Sequence, residues 1–321
     1  MNSDYSFFVG DIALDQYYRS PYWPGIREKV LVETLDAYVG GMIANAASVY
    51  AAYNENIYYL ALLNSGSITQ ILCKDLQDRG IDTRYILHDD SLPDAKNMII
   101  LAEDDHTLFI PTLGITHFEI THEIIDAMCK AKYVYTCISE IRPLRCGDMD
   151  ALDIIKKVRA SGAKMVYDLD VAHLEAGDEL FIEDMDIVFF NTIGFDTYRK
   201  EKTTEQAVAQ LFEFGTEIVV VTHAEDGCVV YTKDEQIQVP GIPVEVVDVT
   251  GAGDTFCSSF IHALNKSDNL TLVARFANAA AARAVTVMGP RGGVASNEEI
   301  IDFMKEQNVL LDNTFDCFMS K

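Results

Sequence analysis

The second half of the chain has a regular hydrophobic pattern. From about residue 130, short apolar runs rich in β-branched residues alternate with longer stretches of helical periodicity. Such alternation is typical of a parallel sheet covered by helices. One predicted helix, 149–160, carries an apolar stripe through Leu152, Ile155 and Val158, and another spans 204–214. The predicted strands are 133–138, 164–167, 187–190 and 217–222.

The first half is less regular. A strand predicted at 6–12 precedes a segment, 17–39, that is interrupted by prolines, and an alanine-rich helix follows at 41–53. Apolar runs at 96–101 and 107–110 flank the polar turn 103–105, which predicts a hairpin outside the main sheet. These elements indicate a small β appendage.

The organisation that we predict is one α/β domain over residues 1–321. No low-complexity linker separates the halves, and the sequence has no repeat of fixed period. The β appendage is expected to form a lid on this domain, from about 14–38 and 95–112.

Charge and composition narrow the functional classes. The chain has 25 basic and 50 acidic residues, and its net charge of -25 disfavours nucleic acid and anionic membranes as partners. No signal peptide and no run of about 18 apolar residues is present, so a cytoplasmic protein is expected. The seven cysteines form no CxxC pair, and the histidines form no HExxH motif, so reduced thiols and no structural metal site are expected.

The segment around Gly251-Ala252-Gly253-Asp254 carries the clearest chemical signal. Alternating valines predict a strand before it, and the helical period of Phe256, Phe260 and Leu264 predicts a helix after it. Glycines at such a junction allow a tight turn and expose N–H groups at the helix start, where the macrodipole favours an anion. The alternating valines are Val244, Val246 and Val249. This order of strand, glycine turn and helix indicates a phosphate-binding turn.

Asp254 can be interpreted in two ways. A carboxylate beside a phosphate is useful if it activates the hydroxyl group of a second substrate as a general base. Alternatively, Asp254 is a simple helix cap, which for an isolated GxGD is the more common outcome. The motif is neither a Walker A loop nor a GxGxxG fingerprint.

Several further motifs strengthen the interpretation of the glycine turn, because they occur in the same order as in a known family. The segment 248–256, DVTGAGDTF, resembles the signature of ribokinase-like (phosphofructokinase-B type) carbohydrate kinases. Gly40-Gly41 followed by 44–46, Gly10-Asp11 through Asp15, and FANAAAARAVTVMG at 276–289 resemble further motifs of that family. The resemblance implies a doubly wound, mostly parallel sheet with helices on both faces and a small β lid. It also implies an ATP-dependent kinase, with Mg²⁺, that phosphorylates a hydroxyl group of a sugar-like molecule.

The resemblance also implies residue roles. Asp254 matches the general base, and the backbone of Gly251, Ala252 and Gly253 matches the anion hole. On the acceptor side, where the molecule that receives the phosphoryl group would bind, the matching residues are Asp11, Asp15, Gly40, Gly41, Asn45 and Glu140, together with Asp254 itself. Positions that match the nucleotide side are Asn191, Thr222, Ala224, Gly227, Gly253 and Asn278.

A monovalent-cation site is implied as well, with K⁺ as the candidate ion. The matching residues are Asp248, Thr250, Ala284, Val287, Gly289 and Gly293. Such an ion would order the anion hole and offset acidic charge. The alternative is that Asp248 only hydrogen-bonds the turn.

Two positions depart from the family pattern. Gly194 replaces a glutamate that organises magnesium-bound water, and Asp196 is the predicted substitute. The loop 222–227 has Ala224 in place of its middle glycine, where a positive φ would be strained. These departures motivate an alternative function, a catalytically weak sugar-sensing module.

The acceptor is expected to be neutral, because Met42 occupies a position that is lysine in several family members. Aromatic residues in the predicted lid could stack on a sugar or a nucleobase, which leaves a nucleoside kinase as a further alternative. Otherwise they pack within the lid or at a dimer contact. An exposed lid sheet needs a cover, so a homodimer through the lid is predicted. The aromatic residues are Tyr17, Tyr18, Tyr22 and Trp23.

Overall fold

The computed structural model describes residues 4–103, 105–170, 174–309 and 313–318. In these residues the main sheet has nine strands, in the order β15-β14-β13-β12-β11-β9-β1-β4-β5. The strands from β13 to β5 in this order run parallel, whereas β14 and β15 add an antiparallel edge. These strands are β1 (Tyr5–Val9), β4 (Asn56–Leu63), β5 (Asp82–His88), β9 (Tyr133–Thr136), β11 (Lys164–Asp168), β12 (Ile187–Asn191), β13 (Ile218–Thr222), β14 (Cys228–Tyr231) and β15 (Gln236–Val239).

Helices cover both faces of this sheet, as predicted. Phe7 and Phe8 show why: they are adjacent in β1 and pack into apolar clusters on opposite faces. The Phe8 side includes helices α1 (Met42–Ala52), α2 (Ser67–Asp78), α9 (Ala252–Leu264), α10 (Leu270–Ala284) and α11 (Asn297–Glu306). The Phe7 side includes α3 (His122–Lys130), α4 (Ile138–Ile141), α5 (Ala151–Ala160), α6 (Glu179–Ile182), α7 (Thr192–Arg199) and α8 (Thr204–Phe214). Short 3₁₀ turns lie at Ala224–Asp226 and Asn313–Phe318.

The lid is a separate sheet with the order β3-β2-β6-β7. The predicted hairpin is present, since β6 and β7 are antiparallel, and β2 joins β6 in parallel and β3 in antiparallel orientation. Asp104, in the predicted turn, lies outside the described residues. The lid strands are β2 (Ala13–Ser20), β3 (Glu33–Gly40), β6 (Lys96–Ala102) and β7 (Asp105–Phe109), and a minor pair joins β8 (Phe118–Glu119) to β10 (Leu144–Arg145).

The predicted strand through Val244, Val246 and Val249 is wrong. This segment has no sheet partner among the described residues, and Val246 and Val249 are 57% and 63% exposed. It is held instead at the end of α10, where the carbonyl of Val285 accepts N–H groups of both Val247 and Asp248. Alternation alone therefore does not make a strand, which also needs a neighbouring strand to pair with.

The core is mainly apolar, although some polar and charged residues such as Asp168, Asp186 and His262 are also buried in it, and it includes four of the seven cysteines. Cys137, Cys146, Cys228 and Cys257 are buried, and none of the described cysteines is in a disulfide. No helix within the described residues is long and apolar enough to cross a bilayer.

Candidate active site

Asp254 lies in the first turn of α9, directly after the glycine turn. Gly251 precedes the helix with a φ of 78°, and a Cβ at this position would lie 2.3 Å from the carbonyl oxygen of Pro290. Only glycine fits this backbone angle and this close approach without strain. A Cβ on Gly253 would meet no atom within 4 Å, so this side of the helix start is open.

The helix start provides amide donors for an anion. No side chain caps α9, and the first-turn N–H groups have no acceptor within the helix. The N–H of Ala252 already donates to the carbonyl of Val249 at 3.2 Å. Of the three predicted anion-hole positions, the amides of Gly251 and Gly253 are therefore better placed to donate to a phosphate.

The carboxylate of Asp254 contacts the amide of Asn45, which lies on α1 and is buried. Asn45 Nδ2 donates to Asp254 Oδ2 at 2.9 Å. Burial raises the pKa of Asp254 well above its usual value, the charge of Asp168 raises it further, and the hydrogen bond from Asn45 lowers it. The two predicted site residues, 209 positions apart in the chain, thus form one polar pair.

Asp15 lies on the lid strand β2 and is buried. Its Oδ1 accepts a hydrogen bond from Asn97 Nδ2 on β6 at 2.8 Å. A Cβ on Gly40 would lie 1.9 Å from Asp15 Oδ2, so a larger residue there would require the Asp15 carboxylate to move. Asn97 was missed in the sequence, where its only signal was a polar side chain within the predicted lid hairpin.

Asp11 anchors the start of α1. Its two carboxylate oxygens accept the N–H groups of Met42 at 3.1 Å and Ile43 at 3.0 Å. Gly41 has a φ of 103°, and a Cβ there would lie 2.8 Å from the carbonyl oxygen of Asp11. The structure therefore gives Asp11 a role in holding the glycine pair against β1, in addition to the acceptor contact predicted for it.

Asp11, Asn97 and Glu140 line one cavity between the lid and the sheet. Burial raises the pKa of Glu140 to about 8, with a further contribution from the charge of Asp11. This shift favours the protonated form of Glu140, in which the carboxyl group can donate a hydrogen bond. A cavity with carboxyl and amide groups of this kind suits a polyhydroxylated ligand.

Asn191 ends β12 at the predicted nucleotide side. Its Oδ1 accepts the N–H of Gly194 at 2.7 Å, and its Nδ2 donates to Asp170. A Cβ on Gly194 would lie 2.1 Å from the carbonyl oxygen of Leu169, so a glutamate could not replace Gly194 without a backbone shift. The predicted substitute, Asp196, pairs with Arg199 at 2.6 Å. Asp170 is the acid that contacts Asn191, and sequence reasoning missed it.

Thr222 ends β13 opposite Asn191, in register with it. In the loop that follows, Gly227 has a φ of 96°, and a Cβ there would lie 2.1 Å from the carbonyl oxygen of Val239. Ala224 adopts the strained positive φ, 48°, that its position suggests. The loop thus keeps a glycine-type backbone at Ala224 despite its side chain.

Ala224→Gly is expected to stabilise the protein by about 1 kcal/mol, because glycine adopts a positive φ without steric cost. Thermal unfolding measures this change. Ala282→Gly, inside α10, is the matched control and is expected to destabilise by about 0.5–1 kcal/mol, because glycine disfavours a helix interior. A loss of stability in Ala224→Gly similar to that of the control would contradict the strain.

Asn278 lies on α10 and lines a cleft with residues that follow β15. Its Nδ2 donates to the carbonyl of Pro240 at 3.1 Å and, more weakly, to that of Val239 at 3.4 Å. The amide donor of Asn278 therefore shapes the cleft wall. Arg275 and Met304 also line this cleft, which lies beside the edge strands of the sheet.

Asp248 joins two loops at the predicted cation site. Its Oδ1 accepts the N–H of Thr250 at 2.9 Å, and its Oδ2 accepts the N–H of Gly289 at 2.8 Å. The carbonyl oxygen of Ala284 accepts a hydrogen bond from the N–H of Val287, and the carbonyl oxygen of Gly293 accepts one from Nη1 of Arg283. These bonds fix the loops around the glycine turn. In the described part of the chain, no group of three or more His, Cys, Asp or Glu side chains is placed to hold a metal ion.

The family follows from a comparison with known proteins. A family model described as pfkB family carbohydrate kinase matches residues 4–297. The chain belongs to the pfkB family of carbohydrate kinases. The resemblance seen in the glycine turn and its accompanying motifs is thereby confirmed, and so is the predicted enzyme class. The individual residue roles within this pfkB kinase stay predictions.

Relatives and solved structures cover almost the whole pfkB kinase. The 5-dehydro-2-deoxygluconokinase of Clostridium perfringens is 23% identical over 326 residues, covering 93% of this chain and 92% of that protein. Arabidopsis thaliana ribokinase, complexed with ribose and ATP, has a TM-score of 0.82 at 22% identity and covers 94% of this chain and 99% of its own. An E. coli protein provisionally named ribokinase II, in complex with ATP and Mg²⁺, has a TM-score of 0.77 at 20% identity, with 95% and 100% covered. The predicted ribokinase-like fold is confirmed.

Proposed function

We propose that this kinase transfers the terminal phosphoryl group of ATP to a hydroxyl group of a neutral sugar or sugar-like molecule, with Asp254 as the general base. The observation that carries the proposal is the position of Asp254. It stands at an open, uncapped helix start and is bonded to Asn45 of the acceptor side. A carboxylate at this place can accept the proton of the acceptor's hydroxyl group, next to the helix start where the phosphoryl group under attack would bind.

The residues of the site have three roles in the proposed reaction: they accept a proton, stabilise the transferred phosphoryl group and orient the acceptor. Asp254 accepts the proton of the acceptor's hydroxyl group while the oxygen of that hydroxyl group bonds to the terminal phosphorus of ATP. The bond between this phosphorus and the bridging oxygen of ADP breaks at the same time. The N–H groups of Gly251 and Gly253 donate to the phosphoryl oxygens, whose charge they offset. Asp15 and Asn97 orient the acceptor hydroxyl groups from the lid, and Glu140 orients them from α4 of the main domain.

Polar side chains on the nucleotide side fit ATP with Mg²⁺. Bound Mg²⁺ would offset the phosphate charge. The structure offers Asn191 and Asp170 as a polar pair that could hold water around this ion, and Mg²⁺ commonly keeps several waters in nucleotide sites.

A nucleoside is the second candidate acceptor, and Tyr17 is the observation that favours it. Tyr17 is two residues from Asp15 on β2 and so lies on the same face of the lid. Burial raises the pKa of Tyr17 to about 12, and the nearby charge of Asp15 contributes. Its ring also packs edge-on against Tyr38, with centroids 5.6 Å apart. An aromatic ring at this place can stack on a base or on a sugar.

A thermal-shift panel tests the proposed acceptor class. Neutral sugars, sugar acids and nucleosides are added with and without a nonhydrolysable ATP analogue, because a ligand at 100 times its dissociation constant stabilises by ~2.7 kcal/mol. We expect shifts from neutral sugars, and ADP release with the same compounds when ATP is supplied. Shifts confined to nucleosides would favour the second candidate, and shifts confined to sugar acids would contradict a neutral acceptor.

The K⁺ site at Asp248 stays a prediction, and a change of the monovalent cation in the buffer tests it. If an ion orders the loops, turnover is expected to be higher in potassium buffer than in choline buffer at equal ionic strength. Equal rates would favour the alternative, in which the hydrogen bonds from Thr250 and Gly289 to Asp248 order the turn unaided.

Exposed apolar side chains on the lid support the proposed homodimer. Leu108 and Phe109 of β7 are 47% and 46% exposed, and Tyr38 of β3 is 50% exposed. A second copy of the lid would cover the unpaired edge at β7 and the apolar side chains beside it. Light scattering is expected to give twice the chain mass, whereas a monomeric mass would contradict the proposal.

A further inference from the structure

Arg291 is a buried cation beneath the proposed acceptor site. It lies in the loop between α10 and α11, and its side chain is only 6% exposed. Its guanidinium pairs with Asp75 of α2 and donates to the carbonyl of Gly40 at 3.3 Å. Its Nε donates to Asn45 Oδ1 at 2.8 Å. One side chain thus joins α2, the end of the lid strand β3 and α1.

The contact with Asn45 decides which way that amide points. A guanidinium has only donors, so Arg291 must face the oxygen of the Asn45 amide. The nitrogen of the same amide then faces Asp254, to which it donates at 2.9 Å. Without Arg291, the amide of Asn45 could rotate and present its oxygen to Asp254. That arrangement is favourable only when Asp254 is protonated.

The surroundings of Asp254 make this orientation important. Acidic groups face it from two other elements: Asp168 and Asp170 at the end of β11, and Asp11 after β1. Tyr135 of β9 and Cys257 of α9 also lie near it. These acids favour protonated Asp254, whereas the hydrogen bond from Asn45 favours the carboxylate. A general base must be a carboxylate when the acceptor arrives.

We propose that Arg291 is a positioning residue that acts on Asp254 through Asn45: it fixes the amide so that its N–H groups favour the ionised base. Asp75 in turn holds Arg291, and it also accepts a hydrogen bond from Arg79 Nε at 3.2 Å. The proposal rests on the proposed role of Asp254 as base. It assigns to Arg291 no contact with the acceptor or with ATP.

Arg291→Met tests the proposal against the matched control Arg79→Met, which removes the other arginine of Asp75 and leaves Asn45 untouched. In Arg291→Met, kcat is expected to fall about tenfold or more, the factor associated with losing a hydrogen bond to a charged group. KM for the acceptor is expected to change little, and the acidic limb of the kcat/KM profile is expected to move to higher pH. Arg79→Met is expected to keep the wild-type profile.

A double-mutant cycle shows whether Arg291 acts through Asn45. In the Asn45→Ala background, Arg291→Met is expected to have no further effect on kcat or on the pH profile. Arg291→Lys covers the case in which Arg291→Met does not fold. Its ammonium group can replace the buried charge beside Asp75, but it lacks the second donor arm that holds Asn45, so the same pH shift is expected.

Three results would overturn the proposal. A raised KM with an unchanged kcat would place Arg291 among the acceptor-binding groups. Full additivity of Arg291→Met and Asn45→Ala would show that Arg291 does not act through Asn45. An unmoved pH profile in a folded Arg291 variant would show that it does not affect the base. Asp254→Asn separates these failures from failure of the proposed function, because an active Asp254→Asn variant would contradict the role of the base itself.

Discussion

Asp254→Asn is expected to lower kcat by about 10²- to 10⁴-fold, the range that general-base catalysis usually contributes. The substitution removes the proton acceptor but keeps an oxygen that can accept the hydrogen bond from Asn45 Nδ2. Acceptor binding is therefore expected to be retained. Steady-state kinetics and acceptor-induced thermal shifts measure the two effects separately.

Stability gives an independent check on the same variant. Burial and Asp168 raise the pKa of folded Asp254 above its unfolded value, so this carboxylate lowers stability as the pH rises through the folded pKa. Removing it is expected to increase the melting temperature at neutral pH, and this gain should shrink as the pH falls toward the usual pKa of aspartate. A less stable variant with low activity would instead indicate that Asp254, which does not cap α9, is needed mainly for its hydrogen bond from Asn45.

Gly251→Ala is expected to lower kcat/KM by at least about 10²-fold, because displacement of a site by about 1 Å can cost this much. The added methyl group would lie 2.3 Å from the carbonyl oxygen of Pro290, at a φ of 78°. Relief of this contact must move the start of α9 or the loop at Pro290. Either movement displaces Asp254 or the proposed amide donors.

Gly253→Ala is the matched control for stability. Its methyl group would meet no atom within 4 Å, and Gly253 does not have a positive φ. Its melting temperature is expected to stay at or slightly above the wild-type value, since alanine favours a helix by up to about 1 kcal/mol over glycine. If Gly251→Ala had wild-type activity and stability, the close packing of the turn on Pro290 could not be important for the site.

The sequence predicted the fold well where a pattern is local. The strand at β12 was predicted from a continuous apolar run, which is typical of a strand buried on both faces. The strand predictions did not include β4 and β5, although β4 is a run of aliphatic and aromatic residues that favours a strand. It also predicted a strand near Val246, where the structure pairs the segment with no strand among the residues that it describes.

The candidate site was predictable only in part, for a physical reason. Glycines such as Gly41 and Gly251 are visible because a backbone requirement selects one residue type. Side-chain partners are not visible, because they are distant in the chain: Asn97 lies 82 residues from Asp15, and Arg291 lies 246 residues from Asn45. Such pairs depend on the folded arrangement of the lid, α1 and the last loop.

The most direct test of the central claim is phosphorus NMR of ATP mixed with an acceptor from the thermal-shift panel, with the wild-type protein and Asp254→Asn in parallel. With the wild type, we expect a new phosphomonoester signal and an equal amount of ADP, whereas Asp254→Asn, with the acceptor still bound, should give almost none in the same time. Equal rates of phosphomonoester formation in the two proteins would contradict the role of Asp254. A wild type that binds the sugar but forms no phosphomonoester would contradict turnover itself and would favour a sugar-sensing module.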